Sequence, residues 1–170
     1  MDSDAIKFAD IAQKYIGTGA PLARLGWGIS GYVYLAPDLR TAVKVLKYSA
    51  GFQAEVRTYQ LLRRLGMRQL LGFTIPRMLD YREDILAIQM DFVRSPYLLD
   101  FAGVQFKKPD FSGDVMAHWH QKISEFFSPN EAMIYAVYAA LARHGIYYMD
   151  FRPSNINMTG HPEAKAPEKE

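Results

Sequence analysis

Hydrophobic positions along this chain change period several times, and each change marks an element. Phe8, Ile11, Ala12, Tyr15 and Ile16 recur at helical spacing behind Ser3, and Gly17 follows them. That pattern predicts a helix over residues 3–16, packed ahead of the main fold. Strand-like runs then flank a glycine-rich segment, Leu25-Gly26-Trp27-Gly28-Ile29-Ser30-Gly31-Tyr32-Val33-Tyr34-Leu35. After the turn at Ala36-Pro37-Asp38 a third strand runs Thr41-Ala42-Val43-Lys44-Val45-Leu46. Helical period returns over 49–65, with Phe52, Val56, Tyr59 and Leu62 on one face, Ser49 at the start and Gly66 past the end. Residues 72–76 give a turn and a short strand, 80–84 a polar hairpin tip, and 85–93 a long apolar strand. Five strands with one helix inserted after the third predict a small antiparallel α+β lobe.

The second half is mainly helical. Arg94-Ser95-Pro96 ends the long strand and reads as a joint. Residues 97–101 are expected as a short helix and 103–113 as a loop. Val115, Trp119, Ile123, Phe126 and Phe127 then recur at helical spacing over 114–127. Ser128-Pro129-Asn130-Glu131 reads as a capping box with proline at the first helical position. The helix behind it carries Met133, Ala136, Val137, Ala140 and Leu141 as its apolar stripe and stops at Gly145. Residues 114–127 cover part of that stripe, and a second copy of the chain, in a homodimer, is expected to cover the rest. The resulting division is a helix over 1–17, a sheet lobe over 18–93, a reduced helical lobe over 94–158, and a charged tail over 159–170. The tail lacks periodicity and is expected to be disordered.

Composition narrows the chemistry. The 170 residues are 49% hydrophobic, 22% charged and 14% aromatic, as in a protein that buries a core. A net charge of +2 gives no case for nucleic acid. The chain has no cysteine, which excludes disulfides, thiolate catalysis and thiolate metal sites. No apolar run reaches membrane-spanning length, and the acidic start, Met1-Asp2-Ser3-Asp4, lacks the basic opening of a secretory signal. The expected location is the cytoplasm, with no membrane partner. His118 and His120 are two apart and do not share a helix face, so they read as surface residues rather than metal ligands.

Three groups of residues carry candidate chemistry. Gly26, Gly28 and Gly31 sit between strands, where glycine lets a backbone approach a phosphate; an ordinary glycine hairpin is the plainer reading. Lys44 alternates with Ala42 and Leu46, so its ammonium points to an apolar side and needs a counter-charge. Glu55 lies within the apolar face of the following helix, where a carboxylate is costly unless paired. Each of these two explains the other. Finally, Asp150 and Asn155 stand five apart in Tyr147-Tyr148-Met149-Asp150-Phe151-Arg152-Pro153-Ser154-Asn155-Ile156-Asn157. Pro153 keeps that segment from continuing as a regular helix, so both side chains can serve one cleft.

In this order the features resemble the protein-kinase family, over roughly residues 18–158. The resemblance implies an α+β protein-kinase-like fold, with ATP and Mg2+ as cofactors. It implies that Gly26, Gly28 and Gly31 cover the phosphates, that Lys44 contacts them and is held by Glu55, and that Val33 and Ala42 border the nucleotide. Met90 would back the pocket, and Asp91 to Val93 would form the joint that meets adenine. Asp150 would take the acceptor hydroxyl's proton, Arg152 would stand near the transferred phosphate, and Asn155 would hold magnesium. Apart from the resemblance, Asn157 could join Asn155 as a neutral metal pair if the segment is extended, but a turn residue is the plainer reading. Three departures stand against this pattern. Tyr148-Met149-Asp150 replaces His-Arg-Asp, no Asp-Phe-Gly follows the asparagine, and the rest of the helical lobe is absent. Two functions are therefore open. One is a phosphotransferase acting on a protein serine or threonine or a small hydroxylated molecule. The other is a pseudokinase that binds a nucleotide or a protein partner without transfer.

Overall fold

A computed structural model describes residues 3–166. Helix α1 (Ser3–Ile16) precedes strands β1 (Ala23–Trp27), β2 (Gly31–Leu35) and β3 (Thr41–Leu46). Helix α2 (Ser49–Arg64) follows, then β4 (Gln69–Leu70), β5 (Phe73–Thr74), β6 (Met78–Arg82), β7 (Ala87–Asp91) and β8 (Tyr97–Leu98). Helices α3 (Gly113–Phe127) and α4 (Glu131–Ala142) lead to β9 (Ile156–Asn157).

The main sheet is antiparallel, in the order β1-β2-β3-β7-β6. Both of its faces are covered, which is why β3 is buried along almost its whole length. On one face Tyr32, Tyr34, Val43, Val45 and Ala87 pack under Phe8 and Ala12 of α1. Phe8 stacks on Tyr32 at 5.0 Å, and burying such a ring contributes about 2 kcal/mol. On the other face Ala42, Leu46, Ile88 and Met90 meet Phe52, Val56, Tyr59 and Leu62 of α2. Strand alternation therefore turns Lys44 toward α2. The architecture is α+β: a five-stranded antiparallel sheet with one helix inserted after its third strand, followed by a helical part.

Several elements differ from the pattern-based expectation. The fourth strand of the main sheet is Met78–Arg82, which runs through the expected hairpin tip; the turn falls at Glu83–Ile85 instead. This is an edge strand, largely exposed, so no buried alternation announces it. Phe73–Thr74 instead joins a second small sheet, β4-β5-β8-β9. Residues 97 and 98, expected in a helix, form its third strand. Thr74 pairs with Tyr97, and Tyr97 and Leu98 pair with Asn157 and Ile156. Long-range ladder partners override a weak local helical preference.

Helix α4 begins at Glu131, not beside Ser128. Ser128 closes α3 by donating its N–H to Ser124, and the Ser124 hydroxyl donates to Glu131 Oε1 at 3.2 Å. The fully buried residues of α4 are Ile134, Val137 and Leu141, a face offset from the expected stripe. They pack with Ile123 and Phe127 in the chain's own core, so covering them needs no second copy. The tail also packs as far as it is described. His161 is buried, lies against Phe73 at 4.6 Å between ring centres, and hydrogen-bonds the Leu71 carbonyl through Nε2 at 2.8 Å. One anchored aromatic ring orders residues that composition alone predicts to be loose; 167–170 lie outside the described residues. Among the described residues no helix is long and apolar enough to cross a membrane.

Candidate active site

Lys44 and Glu55 meet between β3 and α2. Lys44 Nζ donates to Glu55 Oε2 at 2.6 Å, and both side chains are almost wholly buried. A second carboxylate joins them: Nζ also donates to Asp100 Oδ1 at 2.8 Å. Burial would depress the ammonium, but Glu55 and Asp100 outweigh it and hold Lys44 above the ordinary lysine range. Burial pushes the Glu55 carboxyl up to about 7, Lys44 opposes this, and the Asp100 charge adds to the rise. One cation between two carboxylates leaves an excess negative charge in a dry place, and binding a proton at Glu55 relieves it. Among the described residues Glu55 Oε1 accepts no hydrogen bond of good geometry, although the Phe101 backbone N–H lies near enough to favour the ionised carboxylate.

The backbone around Asp150 is fixed by hydrogen bonds and packing from several elements. Tyr148 is buried, and burial, then Asp100 and Asp150, hold its phenol well above the usual range. It stays protonated and donates to the Leu99 carbonyl at 3.1 Å. Trp119 Nε1 donates to the Met149 carbonyl at 2.9 Å, and Asn155 Nδ2 to the Asp150 carbonyl at 2.9 Å. Phe151 is buried and packs edge-on against Tyr148 at 4.8 Å. The Asp150 side chain is 41% exposed and accepts from Arg152 Nε at 2.7 Å. A rigid backbone thus presents an accessible carboxylate with a cation beside it, a geometry suited to taking a proton from a hydroxyl.

The segment between the joint and α3 links the two centres. Leu99 donates its N–H to the Asn155 carbonyl at 2.7 Å, and Gln105 and Tyr147 exchange backbone hydrogen bonds. Asp100 and the Asp150 loop therefore sit on neighbouring backbone, with Gly103 passing close to the Asp150 side chain. Sequence reading missed Asp100; its only local signal is a carboxylate between the apolar Leu99 and Phe101.

The glycine segment is a tight hairpin in which Gly28 donates its N–H to Gly31 O at 2.9 Å. A Cβ on Gly31 would fall 2.2 Å from the Val45 carbonyl, so packing against β3 requires that glycine. Gly26 and Gly28 border open space, where a ligand has room to approach. Val33 faces Lys44 across the ladder and Ala42 faces Met90, so these positions surround the triad's side of the sheet. Met90 is buried and receives the Tyr59 hydroxyl on its sulfur at 3.8 Å. Asp91 turns elsewhere: its N–H donates to Arg77 O, and its carboxylate pairs with Arg77 at 3.3 Å and Arg68 at 3.7 Å. Asp91 and Val93 line an open cleft of ≈ 500 Å³ with Arg68 and Gln69, and neither Lys44 nor Asp150 reaches it.

The two amides expected at magnesium differ in which atom they keep open, and the Asn155 oxygen is the one left to a cation. Asn157 Oδ1 accepts the Thr159 N–H at 2.8 Å, which makes it a turn residue. The Asn155 amide nitrogen is spent on Asp150, and its oxygen accepts from Ser154 at 3.2 Å. Among the described residues no three histidine, aspartate or glutamate side chains converge to hold a metal.

No family model matches the chain, and no curated protein is similar to it in sequence. Eight chains of solved structures match it. One is the ternary complex of APH(2")-IIa with streptomycin and ATP, at 16% identity and a TM-score of 0.40, over 71% of this chain and 39% of that one. Another is the gentamicin complex of APH(2")-IIa, at 16% identity and a TM-score of 0.42, over 83% of this chain and 39% of that one. The chain thus spans 39% of the length of each of these structures. Its own five-stranded antiparallel sheet carries the buried Lys44–Glu55 pair between β3 and the helix inserted after it.

Proposed function

We propose that the chain is a protein-kinase-like phosphotransferase that moves the γ-phosphate of ATP to a hydroxyl of a protein side chain or a small molecule. The observation that carries this reading is the buried Lys44–Glu55 pair, tied through residues 99–105 to the Asp150 loop. In the step proposed, the acceptor oxygen forms a bond to the γ-phosphorus. The bond from that phosphorus to the β,γ-bridging oxygen breaks, and its electron pair leaves with ADP. Asp150 accepts the hydroxyl proton, Arg152 offsets charge on the moving phosphoryl group, and Lys44 holds the remaining phosphates. Asn155 Oδ1 is the amide atom that would hold magnesium, and a bound ion would supply positive charge at the phosphates.

No Asp-Phe-Gly follows Asn155 in residues 156–170, and that favours a second reading, a pseudokinase that binds nucleotide without transfer. Transfer from labelled ATP, compared between the parent and Asp150→Ala, separates the two. Transfer that falls at least 100-fold in the variant supports the enzyme. Thermal stabilisation by ATP with no transfer supports the binding module. Transfer equal in both proteins would come from a contaminant and would remove the enzymatic reading.

A further inference from the structure

Asp100 sits where a ligand anion would need to be. Glu55 alone is enough to neutralise Lys44, and the second carboxylate leaves the triad negatively charged and raises Glu55. The three side chains differ in access: those of Lys44 and Glu55 are 5% and 1% exposed, and that of Asp100 is 28% exposed. Asp100 is therefore the member of the triad most open to solvent, and the one an arriving anion would meet. Its backbone is left-handed, φ +62°, a conformation that strains any residue with a Cβ, though aspartate bears it better than most. Among the described residues its carboxylate has one other partner, the Ala102 N–H at 3.4 Å. The contact is thus separable from the fold in a way that the Lys44–Glu55 bond is not.

We infer that Asp100 is an internal occupant of the Lys44 anion subsite, a carboxylate latch that bound phosphate must displace. This rests on the proposed nucleotide site at Lys44. Displacement would not stay local. Leu99 bonds Asn155, and Tyr148 bonds Leu99, so a shift at residue 100 bears on the backbone that presents Asp150. Filling the anion subsite and arranging the proton acceptor become one event. The apparent affinity of the resting chain is lowered by the fraction of molecules in which the latch is closed.

The experiment measures binding of a fluorescent ADP derivative to the full chain in EDTA, for the parent, Asp100→Asn, Asp100→Ala and Lys44→Met, each checked for a cooperative melt. If the latch is open about one-tenth of the time, the two Asp100 variants bind roughly tenfold more tightly than the parent, and Lys44→Met binds far more weakly. Equal or weaker binding by both Asp100 variants, with Lys44→Met still defective, overturns the latch and leaves the nucleotide site standing. Binding to Lys44→Met at parental strength, or no binding by any protein, overturns the site and the latch together. The parent supplies a readout free of variants. Hydrogen exchange at residues 99–104 should accelerate on saturation with ADP, and slower exchange there would overturn the inference even if the variants failed to fold.

Discussion

Glu55→Gln tests the electrostatics of the triad. Burial raises the Glu55 carboxyl from 4.5 to about 7, with Lys44 opposing and Asp100 adding to the rise. A raised folded value means that the native chain holds a proton which the unfolded chain releases. The stabilisation from that proton is full below pH 4.5 and is lost as pH rises through about 7. A shift of this size corresponds to about 3 kcal/mol. Glutamine keeps the shape and can still accept from Lys44, but it cannot ionise. Lys44 retains Asp100 at 2.8 Å, so the substitution leaves no isolated buried ammonium. At pH 5 the variant should be less stable than the parent by about 1 kcal/mol, the difference between two neutral hydrogen-bonding partners. At pH 8 the order should reverse, with the variant more stable by about 2 kcal/mol. Urea unfolding followed by circular dichroism at pH 5, 6, 7 and 8 measures both differences. Parallel stability curves for the two proteins would refute the reasoning. So would a variant weaker by about 3 kcal/mol at pH 8, since that is the signature of an ionised carboxylate the fold depends on.

Gly31→Ala should cost roughly 3 kcal/mol, because its Cβ would meet the Val45 carbonyl, whereas Gly28→Ala, facing open space, should stay within about 0.5 kcal/mol in thermal melts. His161→Ala should cost about 2 kcal/mol and expose the tail to protease, since it loses the Leu71 hydrogen bond and the Phe73 contact; unchanged digestion would remove the anchoring role. Trp119→Phe keeps most of the packing but loses the bond to the Met149 carbonyl, so exchange at 147–152 should quicken while overall stability falls by about 1 kcal/mol. Asn155→Asp puts a second carboxylate beside Asp150 and should destabilise the chain more at pH 8 than at pH 4, read from the same urea curves.

The parts of the site that periodicity could reveal are those whose neighbours are set by one element. Lys44 takes its side of the sheet from strand alternation, and Glu55 takes its face from the helix that carries Phe52 and Tyr59; covering that face with the sheet brings the two together. Asp100 had no such signal. Its partner lies 56 positions back, and its backbone belongs to no helix or strand. The same holds for Met78–Arg82, whose exposure at the sheet edge hides its strand, and for Tyr97–Leu98, whose partner Asn157 lies far along the chain. The site therefore has two kinds of support. Lys44 and Glu55 rest on regular elements inside a core and should persist through most surface changes. Asp100 and Asp150 rest on irregular backbone, registered by the short ladder between β8 and β9 and by the Leu99–Asn155 bond. Loosening that ladder moves both carboxylates together and leaves the buried pair in place. Its effect should therefore appear in affinity and transfer before it appears in stability.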